Sequence, residues 1–414
     1  MTVRGTLPAQ TTTFVGRRAV LAETRALLGK ARLVTLVGVG GVGKTRVAVE
    51  TGRAVARAEV FQHGVWLVPL AGLQDPALLA RTVAAELRIV DNSPGAGLGR
   101  LVESLYDKHL MLVLDGCEHL LDAVRHLVHH LLRDCEGLTI LTTSREQLGV
   151  YGEHLLWVPP MGEEAVELLA ERAEAALDDL TAAEALCRAL DGVPLAIELA
   201  AAGLAEMSLT DVREQLGERQ RVTLEQTFEW AAKQCAEEER QLWATLSVFP
   251  ADFDRDAAEA VAGGDVLTSL SALVRKSIVV ATTSPVTQKT RYRLLDSVSR
   301  FGSSMLADEH EPLRRHVLHY SEFVDEAARS WFSPDEALWM ARVREEWPNI
   351  RAAIGYALGT PDLAEAGTVM AMNVQRSRFT SFTGMLGQAR DLLSVAREVI
   401  TEPPLRTSLL AHCA

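Results

Sequence analysis

A chain of 414 residues with 48% apolar and 23% charged side chains has ordinary globular composition. At roughly 150 residues per domain it is long enough for about three domains, and extensive disorder, a collagen-like repeat and a disulfide scaffold are excluded. The 42 Lys and Arg against 55 Asp and Glu leave a net charge of −13, the wrong sign for a general nucleic-acid coat.

Along the chain, the opening MTVRGTLPAQ lacks the apolar h-region of a secretory signal. The first strand is expected at 33–38 (LVTLVG), a continuous apolar run of the kind covered on both faces. A glycine-rich stretch follows, then a helix from about Lys44 to Arg57. Further strands are expected at 64–70, 110–115, 138–142 and 154–158, with helical patterns between most of them. The best of these is 118–134, where Leu120, Leu121, Val124, Leu127, Val128, Leu131 and Leu132 make one stripe. Such alternation predicts a parallel α/β sheet, here over residues 1–160. The stretch DNSPGAGLG (91–99) reads as an exposed loop.

After Pro159-Pro160 the strand signals stop. Residues 161–220 read as a small helical domain with breaks near Asp179, Gly192-Val193-Pro194 and Met207-Ser208. Residues 221–305 read as helices followed by a hairpin, SIVVATTS and RYRLL about a turn near Pro285. From 306 to 414 the chain is helical, with pair spacing near 335–358, 361–380 and 385–400 but no clean internal repeat. The last residues carry an uncapped helical pattern, so a longer protein is expected. No apolar run reaches the 18 or so residues of a spanning helix. Five widely spaced cysteines (Cys117, Cys135, Cys187, Cys235, Cys413) form no Cys-x-x-Cys pair. A cytoplasmic protein with reduced thiols and no membrane partner is the expectation.

Gly38-Val39-Gly40-Gly41-Val42-Gly43-Lys44-Thr45 matches G-x-x-x-x-G-K-[ST] between a strand and a helix, the context that motif requires. Glycines let successive N–H groups face phosphates, and the helix adds its positive end. Nucleotide-binding candidates are therefore Gly38, Gly40, Gly41, Val42, Gly43, Lys44, Thr45 and Arg46. Lys44 is expected on the β- and γ-phosphates and Thr45 on Mg²⁺. Asp115, at the end of LMLVLD, supplies a second Mg²⁺ oxygen, or else caps the next helix. Glu118 is the nearest carboxylate to direct a water, or an ordinary acid in a first helical turn. Arg145, closing LTTSR, suits bidentate contact with a γ-phosphate, or a surface salt bridge. Lys44, Asp115, Glu118 and Arg145 make the catalytic set. His126 and His130 on the next helix lack the acid of H-E-x-x-H, so no metal is expected there. Glu237-Glu238-Glu239 reads as a solvated face, and the stretch from Trp339 to Trp347 as helix core.

The motifs in this order resemble the signal-transduction ATPases with numerous domains, the STAND class, nearest to LuxR/AfsR-type bacterial regulators with an NB-ARC-like module before helical repeats. The residues that carry the resemblance are Phe14-Val15-Gly16-Arg17, the loop 38–45, LMLVLDGCEHL, LTTSRE, LDGVPLAIELAA, LSVFPADFDRDAAEAVAG, RYRLLDSVSRFG and EEWPNIRAAIGYAL, across about residues 7–360. The resemblance implies that Val15 and Arg17 line the nucleotide pocket and that Pro194 touches the adenine. It implies that 221–305 is a winged-helix domain closing over ADP and that 306–414 begins a TPR-like region. Two departures stand out. Leu294-Leu295-Asp296 replaces the Met-His-Asp of eukaryotic relatives, so that histidine contact is not carried over. Gly116 stands where relatives have a second acid, which predicts slow hydrolysis.

The function expected is an ATP/ADP switch of a regulator, with Mg²⁺ as cofactor. An inducer ligand or protein is expected on the C-terminal helices, and self-association on ATP binding. The 221–305 segment holds 10 basic and 11 acidic residues, a net of −1. Phosphate neutralisation drives DNA affinity, so DNA contact is expected only through a domain outside the chain. An NLR-like defence sensor and a nucleotide-stabilised scaffold without turnover are the alternatives.

Overall fold

The computed structural model describes residues 5, 7–9, 12–73, 75–89, 97–173, 179–216, 222–284, 286–331, 333–377, 379–380 and 386–399. The chain forms two compact units. The first comprises 1–79, 102–240 and 271–279, and the second 80–101, 241–270 and 280–414.

The first unit holds a five-stranded parallel sheet in the order β2-β3-β4-β1-β5. Its strands are β1 (Leu33–Val37), β2 (Val65–Pro69), β3 (Leu110–Asp115), β4 (Leu138–Ser144) and β5 (His154–Trp157). Every residue of β1 and β4 is buried, as their unbroken apolar and Thr-rich runs require of central strands. Helices α1 (Arg18–Leu28), α2 (Lys44–Arg57) and α5 (Leu121–Asp134) accompany the sheet; α3 (Leu79–Glu86) and α4 (Gly97–Leu105) come between β2 and β3 in the chain, and residues 80–101 belong to the second unit. Val20, Val34, Leu36, Val42, Val47 and Val113 belong to one buried cluster, which anchors the loop after β1 to the core.

Two expectations change here. Residues 97–99, read as loop, begin α4: Leu98, Leu101, Val102 and Leu105 recur at helical spacing, and Leu101 and Leu105 are buried. That burial outweighs the roughly 1 kcal/mol that each helical glycine costs. Residues 91–96 lie outside the described residues. The long helix expected over 118–134 is split into a 3-10 turn at Cys117–His119 and α5.

Four helices follow β5: α6 (Glu164–Ala173), α7 (Leu180–Ala189), α8 (Pro194–Gly203) and α9 (Leu209–Leu216). Asp179 caps α7 by accepting from Ala182 N, and Pro194 begins α8, where a missing N–H costs nothing. Helix α10 (Leu224–Lys233) opens with a Thr223–Gln226 capping box. Next comes α11 (Glu237–Leu246). Glu239 is not part of a solvated face: its carboxylate takes the Lys276 ammonium and the Ala236 N–H.

The second unit contains α12 (Arg255–Ala262), α14 (Asp296–Ser304), α15 (His310–Arg329), α16 (Glu336–Leu358), α17 (Ala364–Arg376) and α18 (Leu386–Val399). Helix α13 (Leu267–Arg275) leads into the hairpin expected from the sequence, β6 (Val279–Thr283) with β7 (Thr290–Leu294). Its turn residue Pro285 lies outside the described residues, as do Cys413 and the helical pattern of 401–414. Trp339 and Trp347 are buried, as expected. Pro348 interrupts the hydrogen-bond ladder within α16, and a buried polar cluster gathers beside it. There Glu346 accepts from Arg291, from Tyr320 Oη at 2.8 Å and from Asn349 Nδ2 at 2.9 Å.

Candidate functional site

The loop 38–43 leaves β1 at its C-terminal end and enters α2 through Gly43, with left-handed φ of 74° at Gly41 and 94° at Gly43. Only glycine holds that conformation without strain. At Gly38 an added Cβ would lie 2.9 Å from Val158 O, so the strand end passes too close to β5 for any side chain. Val42 is fully buried, pinning the loop from beneath, while Val39 is about half exposed at its tip. The first turn of α2 therefore points its N–H groups into a concave backbone cradle. Lys44 Nζ donates to Gly38 O at 2.8 Å and Val39 O at 3.0 Å.

Asp115 ends β3 beside this cradle. Its Oδ1 accepts from Thr45 Oγ1 at 2.7 Å and from Thr143 Oγ1 at 2.5 Å. Thr143 Oγ1 in turn accepts from Gly116 N at 2.9 Å. The N-cap of the following turn is Gly116, with a left-handed φ of 79°. Two oxygens in contact, one a carboxylate, are the donor set that suits Mg²⁺, a hard cation that keeps most of its waters. Thr45 and Asp115 would hold it. Thr143 was not singled out from the sequence, although it stands in the quoted LTTSRE run.

Glu118 sits in the 3-10 turn after β3, and Arg145 just past β4. Arg145 Nε lies 3.2 Å from Glu118 Oε1. The same guanidinium reaches over the loop, with Nη2 3.4 Å from where a Gly40 Cβ would stand. Glu118 Oε2 is buried and has no hydrogen-bond partner among the described residues. A buried acceptor left unmade costs about 1–3 kcal/mol.

The other candidates fall on two clamps. Arg17 takes a left-handed φ of 62° and is buried. Its guanidinium donates to Val42 O at 2.9 Å and to Pro159 O, and its N–H donates to Glu164 Oε2 at 2.8 Å. Burial lowers its pKa, and Glu164 opposes that shift. Arg17 thus binds the backbone of the loop and of the segment after β5; Val15, two residues before it, is half-buried. Arg46 pairs with Glu198 at 2.9 Å and donates to Thr12 Oγ1 at 2.9 Å and Thr13 O at 3.0 Å. Arg172 shares the same Glu198 oxygen at 3.0 Å and also reaches Thr13 O. One carboxylate therefore joins α2, α6, α8 and the segment before Phe14. Glu164 and Arg172 carried no sequence signal, since charged helical residues are usually solvated, and Glu198 was not singled out although it stands in the quoted LDGVPLAIELAA run.

Pro194 is half-buried at the head of α8. Leu195 N donates to Gly41 O at 3.2 Å, and the Leu195 Cβ would stand 3.0 Å from a Cβ on Gly41. The Gly-Val-Pro turn is held by Met161 N donating to Gly192 O at 2.8 Å. The loop, Asp115, Glu118, Arg145 and Pro194's helix all meet within the first unit.

No established family profile matches the chain. A Mycobacterium tuberculosis protein with the provisional name HTH-type transcriptional regulator is 36% identical over 375 residues, 83% of this chain and 41% of that protein. The chain thus spans about two fifths of the length of that relative. An uncharacterized M. tuberculosis protein is 36% identical over 330 residues, 72% of this chain and 83% of its own length. The regulatory protein AfsR of Streptomyces griseus is 29% identical over 359 residues, 77% of this chain and 35% of AfsR. Among solved structures, a signal-transduction ATPase with numerous domains and a tetratricopeptide repeat sensor, from Pyrococcus horikoshii, matches with a TM-score of 0.59. It is 17% identical, over 95% of this chain and 60% of that one.

Proposed function

Because the chain belongs to the family of these mycobacterial and AfsR-type regulator proteins, and has the fold of a STAND P-loop ATPase, we propose that it is an ATP/ADP-binding switch of a transcriptional regulator. The single observation that carries this reading is the joining of Thr45 to Asp115 at 2.7 Å beside a glycine cradle tied to α8 through Leu195 N and Gly41 O. Nucleotide phosphates lie on the N–H groups of 38–45, with Lys44 turning from the loop carbonyls to the β- and γ-oxygens. Thr45 and Asp115 would hold Mg²⁺, which when bound would neutralise developing phosphate charge. The base rests near Val15 and Pro194, with Arg17 and Arg46 holding the surrounding backbone.

Hydrolysis is slow, because Gly116 leaves no carboxylate beside Asp115. Glu118 stands in for it, and Arg145 reads the γ-phosphate. Residues 221–305 form a winged-helix element, and the helices beyond 306 are the TPR-like sensor for an inducer. DNA is contacted through a part of the protein outside this chain, in the cytoplasm. Among the described residues no single helix is long and apolar enough to cross a membrane.

Lys44→Ala tests the reading. Calorimetry should show loss of tight ATP binding in the folded variant, at least a hundredfold, since charge-assisted contacts to both terminal phosphates go together. Normal affinity would contradict the assignment.

A further inference from the structure

We propose that Glu118 and Arg145 form an exchange latch: Glu118 holds the Arg145 guanidinium until a γ-phosphate takes it, and the carboxylate so released directs the attacking water. This rests on the ATP-switch reading above. Its ground is the geometry of three groups. Arg145 Nε is ion-paired with Glu118 Oε1 at 3.2 Å while its Nη2 lies over Gly40 of the phosphate loop. It therefore already reaches the cradle. Glu118 is a carboxylate with one oxygen paired to Arg145 and the other buried with no hydrogen-bond partner among the described residues. Buried acceptors are almost always satisfied, so an orphan calls for a reason. A carboxylate kept half-satisfied in the turn two residues past Asp115's neighbour Gly116 is primed to accept from a water.

A γ-phosphate brings more negative charge than one carboxylate and offers the guanidinium fork two oxygens, so it outcompetes Glu118 for Arg145. ADP has no such group and leaves the pair closed. When the pair opens, Glu118 gains a free oxygen. The water oxygen then bonds to the γ-phosphorus, the bond from phosphorus to the β–γ bridging oxygen breaks, and its electron pair leaves on ADP. The water proton passes to Glu118 and from there to the phosphate formed. One residue thus restrains triphosphate binding and promotes turnover.

The latch makes an unusual prediction about Glu118→Gln: binding and catalysis move in opposite directions. The neutral amide releases Arg145, so affinity for a non-hydrolysable ATP analogue with Mg²⁺ rises about fivefold, the scale of a partly exposed ion pair. ADP affinity stays put and reports the fold. Turnover falls by about a hundredfold, the low side of what a lost general base costs. In an Arg145→Ala background the Gln substitution no longer raises triphosphate affinity. Equal shifts for ATP analogue and ADP, or no shift for either, would overturn the latch while leaving the switch standing. If the unaltered chain binds neither nucleotide, the underlying switch reading itself falls.

Discussion

His316 is 1% exposed, with its ring 4.8 Å from Tyr320 and 5.2 Å from Phe249. Burial, with a smaller push from His319, lowers its pKa from 6.5 to about 3. The native state therefore refuses a proton that the unfolded chain accepts below 6.5. Stability is complete above that value and declines as pH falls toward 3, by about 1.4 kcal/mol per unit. Urea midpoints measured between pH 7 and 5 should drop, and His316→Leu should flatten much of that drop. His319, also buried and shifted downward, retains part of it. The thiols of Cys187 and Cys235, pushed up to about 11 chiefly by burial, stay protonated at neutral pH. A thiol held protonated is a poor nucleophile.

At the scale of elements, the Gly192 turn decides how α8 meets the phosphate loop. Its φ is 62°, and an added Cβ would lie 2.1 Å from Met161 O, a backbone atom with little room to yield. Gly192→Ala should lower thermal stability by at least 1–3 kcal/mol, the cost of a forced backbone conformation. It should also weaken nucleotide binding, because the Leu195–Gly41 contact moves with the turn. Gly162→Ala, where nothing lies within 4 Å, is the control and should stay within about 0.5 kcal/mol. The Glu118–Arg145 pair is also a product of element placement. The parallel register that sets Leu114 opposite Thr142 brings the ends of β3 and β4 side by side, so residues 27 apart in sequence become neighbours. No local pattern announces this. A lone Arg after a strand reads equally as a phosphate contact or a salt bridge, and here it makes the bridge while standing over the loop.

For the whole molecule, the question is what a nucleotide can move. Swinging an equilibrium from 1:99 to 99:1 takes about 5.5 kcal/mol of differential binding. A charge-assisted hydrogen bond supplies about 1.5–3 kcal/mol, so Arg145 cannot act alone. In the proposed switch, Lys44, a Mg²⁺ held by Thr45 and Asp115, and an inducer would have to share the load. The chain is expected to carry ADP through purification and to gain mass in light scattering with Mg-ATP. Identical mass in both nucleotide states would remove self-association from the scheme. The phosphate loop, the parallel sheet and the helical character of the C-terminal half were legible in the sequence. Glycine tolerance, apolar periodicity and strand length are local properties that neighbouring residues enforce. The strand order, the sharing of Glu198 by Arg46 and Arg172, and the unpartnered oxygen of Glu118 were decided only in three dimensions. Each depends on which distant backbone arrives beside a charged group, and on how much water that arrival removes.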